Sequence, residues 1–372
     1  MARWIGEEDI EDLSIGAALF GTGGGGDPYL GKLMVQKAIR KYGPIKLIDP
    51  SEVPDDELVI PTAMMGAPTI MVEKIPNGDE ALKSLRLVEK ELGKKAFATM
   101  PVECGGLNST IPFVVAAYTG LPVVDGDGMG RAFPELQMET FNVYGVSGTP
   151  MGLYNERGDH CMLNALDNAM LEHISRGIAI RMGGVAHVAL YGMTGQEVKQ
   201  TAIPNTISLC MKIGRAIREA NQSKLDVIQT IKETTKDSIY GEAIVLFKGK
   251  VIDVERRSTD GFVRGKAVVE GLDEYENKNL LVEFQNENLI AKIGEETVAM
   301  VPDLISFLDL ETGDPITTEG LRYGYRVTCL GIPTPQIMRS EQALKIWGPR
   351  NFGYDMPYTK IEDIHSVKEV HR

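Results

Sequence analysis

The pattern of the chain changes at Gly241, and no other feature limits the fold as much. Before it, compact apolar runs of strand length at 45–48, 58–62, 96–100 and 121–124 alternate with helical periodicity at 8–20, 29–42, 78–94 and 109–119. Repetition of strand, loop and helix predicts an α/β layer with a mixed, largely parallel sheet, because parallel neighbours need a crossover. After it, GEAIVLFKGKVIDVERR (241–257), GFVRGKAVVEGL (261–272), LLVEFQNENLIAKI (280–293), ETVAMVPDLISFLDL (296–310) and YGYRVTCLGI (323–332) alternate apolar and polar residues between turn signals. That is the period of half-buried antiparallel strands, so a β-rich second module is expected. Between the halves, 162–181 reads as one long helix and 185–191 as a strand. Further helices are expected near 194–202, 206–220 and 224–235.

At 372 residues the chain exceeds one small core, which favours two domains. Its formal net charge of −13 repels phosphodiester backbones and anionic lipid, so neither nucleic acid nor a membrane surface is an expected partner. No apolar run of spanning length occurs, and MARWIGEEDIEDL turns acidic at once, unlike a signal peptide; a cytoplasmic location is expected. Cys104, Cys161, Cys210 and Cys329 are scattered without CxxC spacing and read as reduced thiols rather than a disulfide or zinc framework.

In an α/β sheet, ligands gather beyond the carboxyl ends of the strands. Three loops follow predicted strands here: AMMGAPT (63–69), PVECGGLNS (101–109) and DGDGMGRAFPE (125–135). They would bring Glu103, Asn108, Asp125, Asp127, Arg131 and Glu135 to one edge, with Gly105 and Gly106 letting the backbone approach a ligand. Solvated turns with a local Asp–Arg pair are the competing reading. GTGGGGDPY (21–29) places Gly23, Gly24 and Gly25 before Asp27 and Pro28, an N-cap and first-turn pair. Its amides could hold an anion or a carbonyl oxygen, although it lacks the GK[ST] ending of a P-loop and Asp27 opposes a phosphate. His160 beside Asp159 is a candidate ligand. Cys104 is a nucleophile only if a neighbour lowers its pKa, and Met64, Met65, Met71 and Met100 read as core filler. Asn286, Glu287 and Asn288 read as a tight polar turn between strands.

Six segments in order, GTGGGGDPY, PVECGGLNS, LPVVDGDGMGRAFPELQM, FQNENLIA, PDLISFLDLETGDPITTEGLRYGYRV and GPRNFGYD, resemble the hydantoinase/oxoprolinase-associated proteins, also called S-methyl-thiohydantoin desulfurase-like, over about residues 8–358. The resemblance implies an N-terminal α/β (α+β) domain, taken as 1–170. A C-terminal domain, 171–358, starts helical and becomes β-rich, and 359–372 is a polar tail. It also implies a ring-processing chemistry: a cytosolic hydrolase-type enzyme acting on a hydantoin-like cyclic amide or thioamide, with desulfuration included. Asp125, Asp127, Glu103 and Arg131 are the expected catalytic group. Gly23, Gly24, Gly25, Asp27, Gly105, Gly106, Asn108 and Glu135 are the expected substrate contacts. Two alternatives stay open: a non-catalytic subunit or regulator of a hydantoinase/oxoprolinase-type complex, and a nucleotide-dependent enzyme using the glycine run. The cofactor is unknown, with a divalent metal an open alternative. The expected partners are the small-molecule ring, further copies of the chain in a homo-oligomer, and a hydantoinase-type subunit.

Overall fold

The structure, a computed structural model, describes residues 3–26, 28–66, 70, 74, 76–259 and 261–369. Two large sheets organise them, with a two-stranded ladder pairing Gly126–Asp127 with Ile203–Pro204. In the first, Ile45–Ile48, Val123–Val124, Ala98–Met100 and Leu58–Gly66 lie side by side as a parallel centre. Helices Glu80–Leu92 and Ile111–Thr119 supply crossovers. Every residue of Leu58–Gly66 except the last is buried, as a strand covered on both faces requires.

The sheet is mixed, as expected, with the parallel strands at its centre and antiparallel ones at its edges. Arg3–Ile5 pairs antiparallel with Ile45–Ile48. On the other side, Val185–Ala189 runs antiparallel to Leu58–Gly66, followed by Met151–Tyr154 and His160–Leu163. The last two are joined by a tight hairpin instead of a crossover, and a hairpin reverses direction. Val185–Ala189 lies beyond residue 170, yet it completes the first sheet. The long helix expected over 162–181 is instead the strand His160–Leu163 and then the helix Asn168–Arg181. Asp167 starts that helix, its side chain accepting from the Met170 amide at 2.8 Å.

The second sheet has eight strands among the described residues, all antiparallel. Ile244–Thr259 is its long axis, pairing with Phe262–Gly271 on one side and Arg326–Ile332 on the other. Its inner face carries Phe247, Val251, Val269, Val282 and Phe307 into one core. Ile361–Glu369 is a helix that starts on the fully buried Ile361, and Arg339 holds Glu362 in a two-pronged ion pair.

The halves meet where helix Glu7–Phe20 crosses helix Thr206–Ser223. A Cβ on Gly16 would lie 1.9 Å from the Cys210 carbonyl oxygen, and one on Gly214 would lie 1.8 Å from that of Asp12. The backbones can touch only because both residues are glycine. Asp12, buried at the crossing, accepts from Arg215 Nε at 3.0 Å and Arg218 Nε at 2.8 Å. Gly214→Ala is therefore expected to lower the unfolding free energy by about 1–3 kcal/mol, because overpacking outweighs the gain in helix propensity. Urea denaturation would measure it; a more stable variant would contradict the close crossing.

Candidate functional site

The loops after the parallel strands meet the turn at 286–288 of the second sheet around a cavity of about 50 Å³. Gly25, Glu103, Asn108, Phe133, Glu135 and Glu287 are among the residues that line it. That is room for three or four waters by rough count.

The glycine run threads between these loops and is hydrogen-bonded to both. Leu107 N donates to Gly25 O at 2.8 Å, Asn288 N to Thr22 O at 2.8 Å, and Thr318 N to Gly23 O at 2.8 Å. Gly25 N donates to Glu287 Oε1 at 3.1 Å. A Cβ on Gly106 would sit 2.3 Å from Gly25 O, and one on Gly24 would sit 2.1 Å from Glu287 Oε1. Gly25 and Gly106 also take φ values of +76° and +62°, which glycine adopts without strain. The segment is thus a packed strap between two domains. Of the expected contacts, Gly25 reaches the cavity; Gly23 and Gly24 pack on Thr318 and Glu287, and Gly105 packs on Gly21. Asp27, Met71 and 67–69 of the AMMGAPT loop lie outside the described residues.

Asn108 fixes the second loop. Its Oδ1 accepts from Met64 N at 2.7 Å, and its Nδ2 donates to Met64 O at 3.0 Å and to Glu103 Oε1 at 2.6 Å. Glu103 Oε2 has no hydrogen-bond partner. Burial, with the nearby Glu287 carboxyl, pushes the Glu103 pKa well above the carboxylate range. Glu287 enters from the other domain. Asn286, at φ +57°, bends the strand junction and is held by Val263 N donating to its Oδ1 at 2.8 Å. Burial raises Glu287 to about 8 although Arg131 opposes the shift, and its Oε2 is also unpartnered. Sequence reasoning read Asn286–Glu287–Asn288 only as a turn. The available signal was an unbroken polar triplet inside an otherwise strand-like run.

The other expected catalytic residues sit elsewhere. Arg131 is completely buried and does not line the cavity. A guanidinium has five N–H bonds. Here Nε donates to Ala132 O at 3.0 Å, Nη1 to Pro302 O at 3.2 Å and Asp303 O at 3.0 Å, and Nη2 to Thr22 Oγ1 at 2.7 Å and Asn288 O at 2.9 Å. All five are spent on the protein, so Arg131 is a clamp between the domains. Asp125 holds Ser208, with Oδ1 accepting from its amide at 2.9 Å and Oδ2 from its hydroxyl at 2.5 Å, and so anchors helix Thr206–Ser223. Asp127 lies behind the cavity. Its Oδ2 accepts from the amides of Cys104 at 2.8 Å, Met129 at 3.1 Å and Gly130 at 2.7 Å, which tie its loop to the Glu103 loop. Burial raises Asp127 to about 6. Glu139, whose two buried oxygens have no partner, is raised well above the carboxylate range by burial, and the Asp127 and Glu103 charges add to the shift. Glu135 does line the cavity, with burial raising it and Gln137 donating to it.

Met64 and Met65, read from sequence as core filler, are buried and also line the cavity. Burial pushes the Cys104 thiol well above its usual range, the setting of an inert thiol. His160 is exposed and stacks on Tyr154 at 5.4 Å. Among the described residues, no three His, Cys, Asp or Glu side chains gather into a group able to hold a metal ion, and no helix is long and apolar enough to cross a membrane.

The chain belongs to the S-Me-THD-like family: the model of its N-terminal domain matches residues 8–165 and that of its C-terminal domain residues 166–361. A crystal structure of a protein from Chromobacterium violaceum is similar, with a TM-score of 0.80 and 24% identity over 96% of this chain and 100% of the other. That likeness carries the fold. No curated protein matches the chain in sequence.

Two outcomes follow from the buried charges. A carboxyl whose folded pKa exceeds its unfolded value binds its proton more tightly when folded. Stability from Glu287 is therefore full below about 4.5 and is lost as pH rises through about 8. The melting temperature should fall between pH 6 and pH 9, and Glu287→Gln should remove much of that fall. Arg131→Lys should cost about 3–5 kcal/mol, because one ammonium cannot fill five donor positions and a buried network is broken. Guanidinium denaturation of the variant would check this.

Proposed function

We propose that this protein hydrolyses a small cyclic amide or thioamide of the hydantoin class, with Glu103 and Glu287 as an acid–base pair. One observation carries the reading. Two carboxyl groups from different domains line one cavity, each with a buried oxygen that the protein leaves without a hydrogen bond. Such oxygens are costly unless a ligand or water uses them. Family membership supports the substrate class.

Both carboxyls prefer the neutral form, and Glu287 gives up its proton at about 8. The ionised Glu287 takes a proton from water as the water attacks the ring carbon. Glu103, still protonated, donates to the ring nitrogen or to the departing sulfur. The two groups divide the roles through their surroundings: Arg131 and the Gly25 amide favour the ionised form of Glu287, and the Glu287 charge in turn favours a proton on Glu103. Asn108 orients Glu103, and Gly25 orients Glu287. The cavity is smaller than a ring, so the flexible Met64, Met65 and Met129 have to yield as the ring enters.

The test is turnover of hydantoins and thiohydantoins, read as ring opening or sulfide release. The log of kcat/KM should rise with pH up to about 8 as Glu287 ionises. Glu287→Gln should abolish that rise, and Glu103→Gln should lower kcat by about 10²–10⁴-fold. Full activity in both variants would remove the pair from the mechanism. Binding of the ring without turnover would support a non-catalytic subunit instead.

A further inference from the structure

The helix Asn168–Arg181 packs one face on the core through Leu171, Ser175 and Ala179, and these are buried. Its opposite face is exposed along its length and, apart from His173 near its middle, apolar. Leu166 just before it is 96% exposed, Met170 46%, Ile174 37% and Ile180 49%. Ala169 and Gly177 fall on the same face, and nothing among the described residues lies within 4 Å of where a Gly177 Cβ would be. Monomeric surfaces scatter such residues singly; a continuous row at helical spacing marks a contact. The charges on this face sit at its ends, Asp167 at the start and Arg181 at the finish, both exposed.

We infer that this face is the contact between two copies of this chain, paired antiparallel about a two-fold axis beside Ile174. The row is self-complementary in that arrangement, as an isologous contact must be. About an axis between His173 and Ile174, Met170 of one copy lies over Gly177 of the other, where the missing side chain leaves room, with Asp167 near Arg181 and Leu166 near Ile180. A parallel pairing would instead set like charges against each other at both ends. Arg176 lies on the same helix, lines the cavity and donates to Glu172 at 2.6 Å and to Pro134 O at 2.9 Å, so the contact also braces one cavity wall.

Sedimentation equilibrium of the full chain should give twice 40.7 kDa. Ile174→Glu should lose the dimer mass while keeping the melting transition, since the residue is exposed. Ile174→Cys, at the axis, should form an intermolecular disulfide with diamide as oxidant, and Leu225→Cys, exposed elsewhere, should not. A wild-type monomer at tens of micromolar, a dimer that survives Ile174→Glu, or no cross-link at residue 174 would each overturn the inference.

Discussion

The arrangement rests on one buried guanidinium. Arg131, from the loop after a central strand of the first sheet, reaches carbonyls at Asn288 in the second sheet and at Pro302 and Asp303 in a turn between its strands, and the hydroxyl of Thr22 in the glycine strap. Desolvation makes such a charge expensive, so it persists only with every donor filled. Burial draws its pKa down to about 10, and the Glu287, Asp303 and Glu103 charges resist that, so it stays cationic at neutral pH. Asp303 passes the same constraint onward, with Oδ1 accepting from Thr334 and Arg339 and Oδ2 from Tyr358 and the Ile361 amide. A single network therefore fixes the strap, the junction between sheets and the start of the C-terminal helix.

Around this cation the protein buries more acid than it neutralises. Glu103, Asp127, Glu139 and Glu287 are all raised, chiefly by desolvation. Asp127 satisfies one oxygen with three backbone amides and so shapes a loop. Glu103 and Glu287 keep one oxygen each without a partner at the cavity wall. The same desolvation lets one structure hold acids with structural duties beside acids available to a ligand. Position separates the two sorts, since Asp127 and Glu139 also keep oxygens without a partner but do not line the cavity.

The sequence made the layered architecture legible because its hydrophobic period switches at Gly241 and its turns carry glycine and asparagine. The convergence of the Glu103 and Asn108 loop with the glycine run was legible for the same reason, since strand ends must gather their loops. The antiparallel flank was legible only in part: a β-like stretch around 141–154 and a strand at 185–191 could be read, but His160–Leu163 was absorbed into the helix expected over 162–181, which hid the hairpin that reverses the direction. Arg131 was misread for a physical reason. A charged residue in a glycine-rich loop looks available to a ligand until the fold supplies five acceptors from distant segments. Glu287 was obscured by the opposite effect, since an Asn–Glu–Asn triplet resembles a solvated turn, and only the packing of one domain on the other buries it.

The direct test is the protonation state of the cavity pair. Infrared difference spectra of wild type, Glu103→Gln and Glu287→Gln, titrated from pH 5 to pH 10, assign each carboxyl by the band its substitution removes. Glu103 should be a neutral acid at pH 7, and Glu287 should lose its proton near 8. Ordinary carboxylate bands for both at pH 6 would contradict it.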